Sequence, residues 1–120
     1  LGQLCGPASL NHNFSKGPLV VNLELRITSN VGDIVDACWM VGNSQSVNAP
    51  RLMWKGKICG MQHDIQPGEK RFIILEAIVD RPGMVHIDSI YVNWNSRSSQ
   101  SLVGSFKIEP SSIRVRNVTQ

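Results

Sequence analysis

Two apolar blocks meet at a tight turn, and that junction constrains the fold more than any other stretch of this chain. Residues 71–79 (RFIILEAIV) and 84–94 (MVHIDSIYVNW) flank Asp80-Arg81-Pro82-Gly83. Proline presets φ and glycine supplies the unusual backbone angles of a turn. The chain is therefore expected to reverse here and pair the two blocks antiparallel. The first block also admits a helical reading, with Phe72, Leu75 and Val79 on one face. Its Ile73, Ile74, Ile78 and Val79 are β-branched and stiff at χ1, however, and turns bracket it at both ends, which favours a strand. In that strand Ile73, Leu75, Ala77 and Val79 point inward and Glu76 points out.

The same period of two recurs elsewhere. Val21, Leu23, Leu25 and Ile27 alternate with Asn22, Glu24, Arg26 and Thr28, the signature of a strand with one dry and one wet face. A turn at residues 29–33 leads to a second strand, 34–41, in which Trp39 is a core residue. Residues 42–50 form a polar loop. Residues 51–54 and 57–63 are short strands interrupted by Lys55-Gly56, and residues 64–69 turn at Pro67-Gly68. After a polar loop at 95–100, residues 102–108 return as a strand. Beyond Pro110-Ser111-Ser112, the residues Ile113, Val115 and Val118 make a last, edge strand. Residues 1–17, rich in Gly, Asn, Ser and Pro, read as an irregular lead-in to a domain spanning 18–120. The expected fold is all-β, an immunoglobulin-like antiparallel β-sandwich of about seven strands.

Composition narrows the function classes. With 120 residues there is room for one domain and one core, and 18% charged residues is too few for a disordered tail. No apolar run approaches the ~20 residues needed to span a bilayer. The start lacks the pattern of a signal peptide and lacks a methionine, so the chain reads as a fragment of something longer. The formal charge of +3 comes from scattered Lys and Arg with no basic block, which suits a solvated surface and not a nucleic-acid interface. Three cysteines, Cys5, Cys38 and Cys59, form no CxxC pair. They read as free, buried thiols of a reducing cytosol. The alternative is one bridge, Cys38 to Cys59, across the sandwich. The two sequons, at Asn13 and Asn117, are what an Asn- and Ser-rich chain produces by chance.

No catalytic or metal signature emerges, and no cofactor is expected. Cys59, His63 and Asp64 invite a nucleophile reading, but in a strand positions 59 and 63 sit about 13 Å apart. Cys38, Cys59, His63 and His86 have no zinc-like spacing. Asp33 with Asp36, and Asp80 with Asp88, surround turns where Asp serves backbone hydrogen bonds. No glycine-rich phosphate loop occurs. Trp54 lies between Arg51, Lys55 and Lys57, and an aromatic ringed by cations is how a protein-binding hot spot reads. A buried Trp capped by snorkelling lysines reads the same way. The candidate binding set is Arg51, Met53, Trp54, Lys55 and Lys57, with Met53 and Trp54 as anchors and the cations as a rim. The rival class is a carbohydrate- or lipid-binding sandwich, which predicts that Trp54, Tyr91 or Trp94 forms an exposed aromatic platform.

Three motifs, in order, carry a family resemblance: Leu52-Met53-Trp54-Lys55-Gly56; Ile65-Gln66-Pro67-Gly68-Glu69; and Arg81-Pro82-Gly83-Met84-Val85 followed by the alternating Ile90, Val92 and Trp94. Together they cover residues 52–94, and residues 21–28 are compatible with an opening strand. This order resembles the C-terminal β-sandwich regions of the large accessory subunits of the transport protein particle (TRAPP) vesicle-tethering complex. The resemblance implies a non-catalytic interaction module in a cytoplasmic, multisubunit assembly at the periphery of Golgi and endoplasmic reticulum membranes. Its partners would be other protein subunits, with peripheral membrane association and no nucleic acid. Exchange activity on Rab-type GTPases belongs to small core subunits of such assemblies, so no catalytic residue carries over.

Overall fold

The computed structural model describes residues 2–42, 52–98 and 103–118. Within them the chain is almost entirely extended: β1 (Gly2–Cys5), β2 (Ser9–His12), β3 (Leu19–Thr28), β4 (Val35–Val41), β5 (Leu52–Lys55), β6 (Cys59–Ile65), β7 (Lys70–Val79), β8 (Gly83–Ile87), β9 (Ile90–Ser96), β10 (Val103–Lys107) and β11 (Ser111–Asn117), with one 3-10 turn at Phe14–Lys16. The fold is all-β and sandwich-like, with eleven strands among the described residues where about seven were expected. Among the described residues, no helix is long and apolar enough to cross a membrane.

One layer has the order β1-β3-β7-β5. Its spine is the antiparallel pair β3–β7, in register over ten residues from Leu19↔Val79 to Thr28↔Lys70. Val21, Leu23, Leu25 and Ile27 line up on the inner face with Ile73, Leu75, Ala77 and Val79, and all eight are buried. Burying each large side chain contributes about 1.5–3 kcal/mol relative to exposure, so alternation alone orients this layer.

The facing layer has the order β10-β9-β4-β6, and a smaller group β2-β11-β8 adjoins it. The two groups share one ribbon. Lys107 faces Tyr91, and Ser111, four residues further on, faces Ile87, four residues further back, so β8–β9 and β11–β10 keep a single register. The Ile108 amide donates to the Ile90 carbonyl across the joint at 2.8 Å. Pro110, which has no N–H, falls in the break between β10 and β11. The buried Val35, Ala37, Trp39, Val85, Ile87, Ile90, Val92, Ile113 and Val115 close one continuous core against the first layer.

Four expectations are corrected. Residues 70–79 and 83–96 do not pair; the turn at 80–83 carries the chain from one layer to the other. β5 already occupies the edge of β7 from Glu76 to Val79, so no edge is free there for a hairpin partner. Residues 84–94 form two strands, parted at Asp88-Ser89, and their partner is the block 103–115. The strand at Ile113 and Val115 is central in its group, between β2 and β8. Finally, residues 2–17 are not irregular. β1 pairs antiparallel with β3, and β2 pairs parallel with β11, so the opening segment changes layers.

The turn at Pro67-Gly68 is as expected. The Glu69 amide donates to the Gln66 carbonyl at 3.0 Å, and Gly68 takes φ 78°, the backbone region that favours glycine at the third position of a type II turn. The 42–50 loop lies outside the described residues from position 43 on; the loop expected at 95–100 starts only after Ser96, where β9 ends, and its residues 99–100 lie outside the described residues.

Candidate interaction surface

Along β5 the alternation is Leu52 and Trp54 inward, Met53 and Lys55 outward. Trp54 is half-buried against the core, and its indole N–H donates to the Gly42 carbonyl at 2.8 Å. That bond satisfies the polar end of the ring and makes Trp54 a support of the edge strand more than an anchor. Met53 is outward and about half exposed. Lys55 Nζ lies 3.7 Å from Glu76 on the next strand, and Lys57 is exposed in the connection to β6. Arg51 lies outside the described residues. The structure thus brings Met53 and Lys55 together on one face and turns Trp54 away from it.

Met53 does not stand alone there. The register places Met53 opposite Ile78, and Ile78 opposite Val20, giving an apolar row across three strands. Further along β7, Ile74 is 68% and Phe72 57% exposed. The Arg26 guanidinium sits 5.7 Å from the Phe72 ring centroid, within cation–π range, and is bonded by Glu24 at 2.8 Å. Val20, Met53, Phe72, Ile74 and Ile78 therefore share the outer face of the first layer. Residues 72, 74 and 78 are the off-phase members of the β7 alternation, so the inward assignment of 73, 75, 77 and 79 already implied their exposure.

The candidate chemistry disperses. Cys59 and His63 stay four residues apart on the extended β6, about 13 Å. His63 Nδ1 lies 3.6 Å from Asp36 instead. All three cysteines are free but none is fully buried: Cys59 is exposed, and Cys5 and Cys38 are half-buried. Cys38 and Cys59 do not face each other across the sandwich: they lie on adjacent strands of one layer, where Cys38 opposes Met61 and Met40 opposes Cys59. Of the aromatic residues considered as a platform, Tyr91 is turned outward, 5.8 Å beneath Lys107 Nζ, whereas Trp54 and Trp94 pack against the core. The three share no surface.

The carboxylates near turns serve the backbone. Asp33 accepts from the Ser96 and Ser98 hydroxyls, from the Ser98 amide at 3.1 Å and from the Ile34 amide at 2.8 Å. These bonds, Ser96 foremost, hold its carboxyl well below the usual carboxylate range. Asp36 is lowered too, chiefly by the Asp64 amide, which donates to it at 3.0 Å, and also by Arg97. Asp64 itself takes φ 59°, a left-handed conformation that Asp tolerates, where the β4–β6 register shifts.

A depressed folded-state pKa stabilises the fold above the unfolded value, near 3.9, and that stabilisation is lost as pH falls through the folded value. Asp33→Asn is therefore expected to be less stable than the parent at neutral pH, with the gap narrowing below about pH 4. Urea unfolding of both proteins at neutral and acid pH measures this; an equal gap at both would show that the Asp33 charge is not the cause. No family model matches the chain, and no curated protein matches it.

Proposed function

We propose that this chain is a non-catalytic protein-interaction module, an immunoglobulin-like sandwich that docks a protein subunit within a vesicle-tethering assembly at the Golgi and endoplasmic reticulum periphery. The observation that carries the docking role is the outer face of the first layer, where Val20, Met53 and Ile78 form one apolar row and Phe72 and Ile74 a second exposed pair, parted by the polar row of Asn22, Glu76 and Lys55. Exposed apolar side chains grouped in this way mark an interaction site more often than isolated ones do. Met53 is the proposed central anchor, with Lys55 and Lys57 as its charged rim and Trp54 bracing the strand from within. The trafficking setting rests on the resemblance of residues 52–94 to the TRAPP accessory subunits. Two facing layers of mostly antiparallel strands around one continuous core support the immunoglobulin-like description.

The test uses the full-length parent chain, tagged and recovered from cells with its partners. Met53→Asp is expected to cut the recovery of partner subunits about tenfold, the equivalent of one lost hot-spot contact, while leaving the circular dichroism spectrum unchanged. Undiminished recovery would remove this face from the reading. Recovery of the unaltered chain without any tethering subunit would remove the trafficking assignment.

A further inference from the structure

β7 is covered unequally on its two sides. β3 pairs with it along all ten residues, whereas β5 covers only residues 76–79. Among the described residues, no strand pairs with residues 70–75 on the β5 side. The reason is local: β5 ends at Lys55, and Gly56, at φ 83°, turns the chain toward β6 in the opposite layer. What remains is a strand edge about 20 Å long in which alternate N–H and C=O groups face away from β3.

The side chains bordering this edge are suited to a guest. Phe72 and Ile74 stand exposed beside it, at the alternate positions that would flank the side chains of an added strand. The charge around it is one-sided. Glu69 is bonded to Arg71 at 2.7 Å, and Glu76 lies 3.7 Å from Lys55. Lys57 beyond one end and Lys70 at the other are exposed and make no ion pair among the described residues.

We propose that the uncovered edge of β7, residues 70–75, receives an extended, acidic segment of a partner protein as an added β-strand. The proposal rests on the interaction-module reading and specifies the partner's chemistry: main-chain hydrogen bonds supply affinity, Phe72 and Ile74 supply contact, and the lysines select acidic flanks. The same lysines oppose pairing between copies of this chain, since two such edges would bring like charges together.

A labelled peptide of alternating valine and threonine with aspartates at both ends is the probe, with a lysine-ended version and a version N-methylated at alternate residues as controls. Added to the full chain, the aspartate-ended peptide is expected to slow amide hydrogen exchange in residues 70–75 about tenfold or more, and the two controls are not. Lys57→Glu combined with Lys70→Glu is expected to reverse the preference toward the lysine-ended peptide. The proposal is overturned if both charge forms bind alike, if the N-methylated peptide binds as well, if protection falls outside residues 70–75, or if no binding occurs at millimolar peptide. Met53 lies on the outer face opposite Ile78, away from the uncovered edge. Partner loss in Met53→Asp together with an unprotected edge would therefore refute strand addition and leave the docking face standing.

Discussion

Trp39→Ala is expected to destabilise the fold by about 3–5 kcal/mol, a large part of the 5–15 kcal/mol that holds a typical domain together. Trp39 is 4% exposed and sits on β4 directly opposite Gly60 of β6. Its indole lies against the Gly60 backbone so closely that a β-carbon there would come within 2.7 Å of the ring. Truncation would open a void that no neighbour can fill, because the facing residue has no side chain. The arrangement recurs at the other flank of the layer, where Trp94 of β9 covers Gly104 of β10. Each edge strand thus contributes a glycine, and the adjoining inner strand a tryptophan that closes the core over it. Gly60→Val should overpack the same site at a cost of about 1–3 kcal/mol. Combined with Trp39→Leu it should cost less than the two changes summed. Thermal or urea unfolding of the set measures this, and strict additivity would show that the ring-on-backbone contact is not what holds the edge.

Leu25→Ala should cost about 2–5 kcal/mol, whereas Ile74→Ala should stay within about 0.5 kcal/mol. Leu25 is fully buried at the centre of β3, between Leu4 on one neighbour and Ile73 on the other, while Ile74 projects outward from β7. Both are large aliphatic residues in the same layer, so size and hydrophobicity cannot account for the difference. A one-residue slip of β7 would exchange the faces of Ile73 and Ile74. Equal losses in the two variants, read by urea unfolding, would contradict the register.

These contrasts show what alternation encodes and what it does not. It told inside from outside along β3 and β7, because each carries several β-branched or large apolar residues at strict spacing. It did not name partners. Residues 71–79 and 103–117 both present a dry face to residues 84–94, and Pro82-Gly83 serves a change of layer as well as it would a hairpin. β1 and β2 escaped notice because four-residue strands with one inward leucine each, Leu4 and Leu10, leave too little pattern to detect. At the candidate surface, the cations around Trp54 drew attention to β5, along which Met53 and Lys55 project outward while Trp54 packs against the core. The signal that separates Met53 from Trp54 is the phase set by Leu52, and that phase depends on which neighbour β5 meets. Phe72 and Ile74 were legible as outward residues, but only the short reach of β5 exposes the edge beside them.

The opening segment acts as a staple across the sandwich seam. Its first half shields the flank of β3 and its second half shields the flank of β11, so one short stretch finishes both layers. Take away residues 2–12 and the border of each group moves inward at once, from the short β1 and β2 to the longer β3 and β11. Trimming this domain back to Pro18 would therefore remove a paired flank from both groups in one cut.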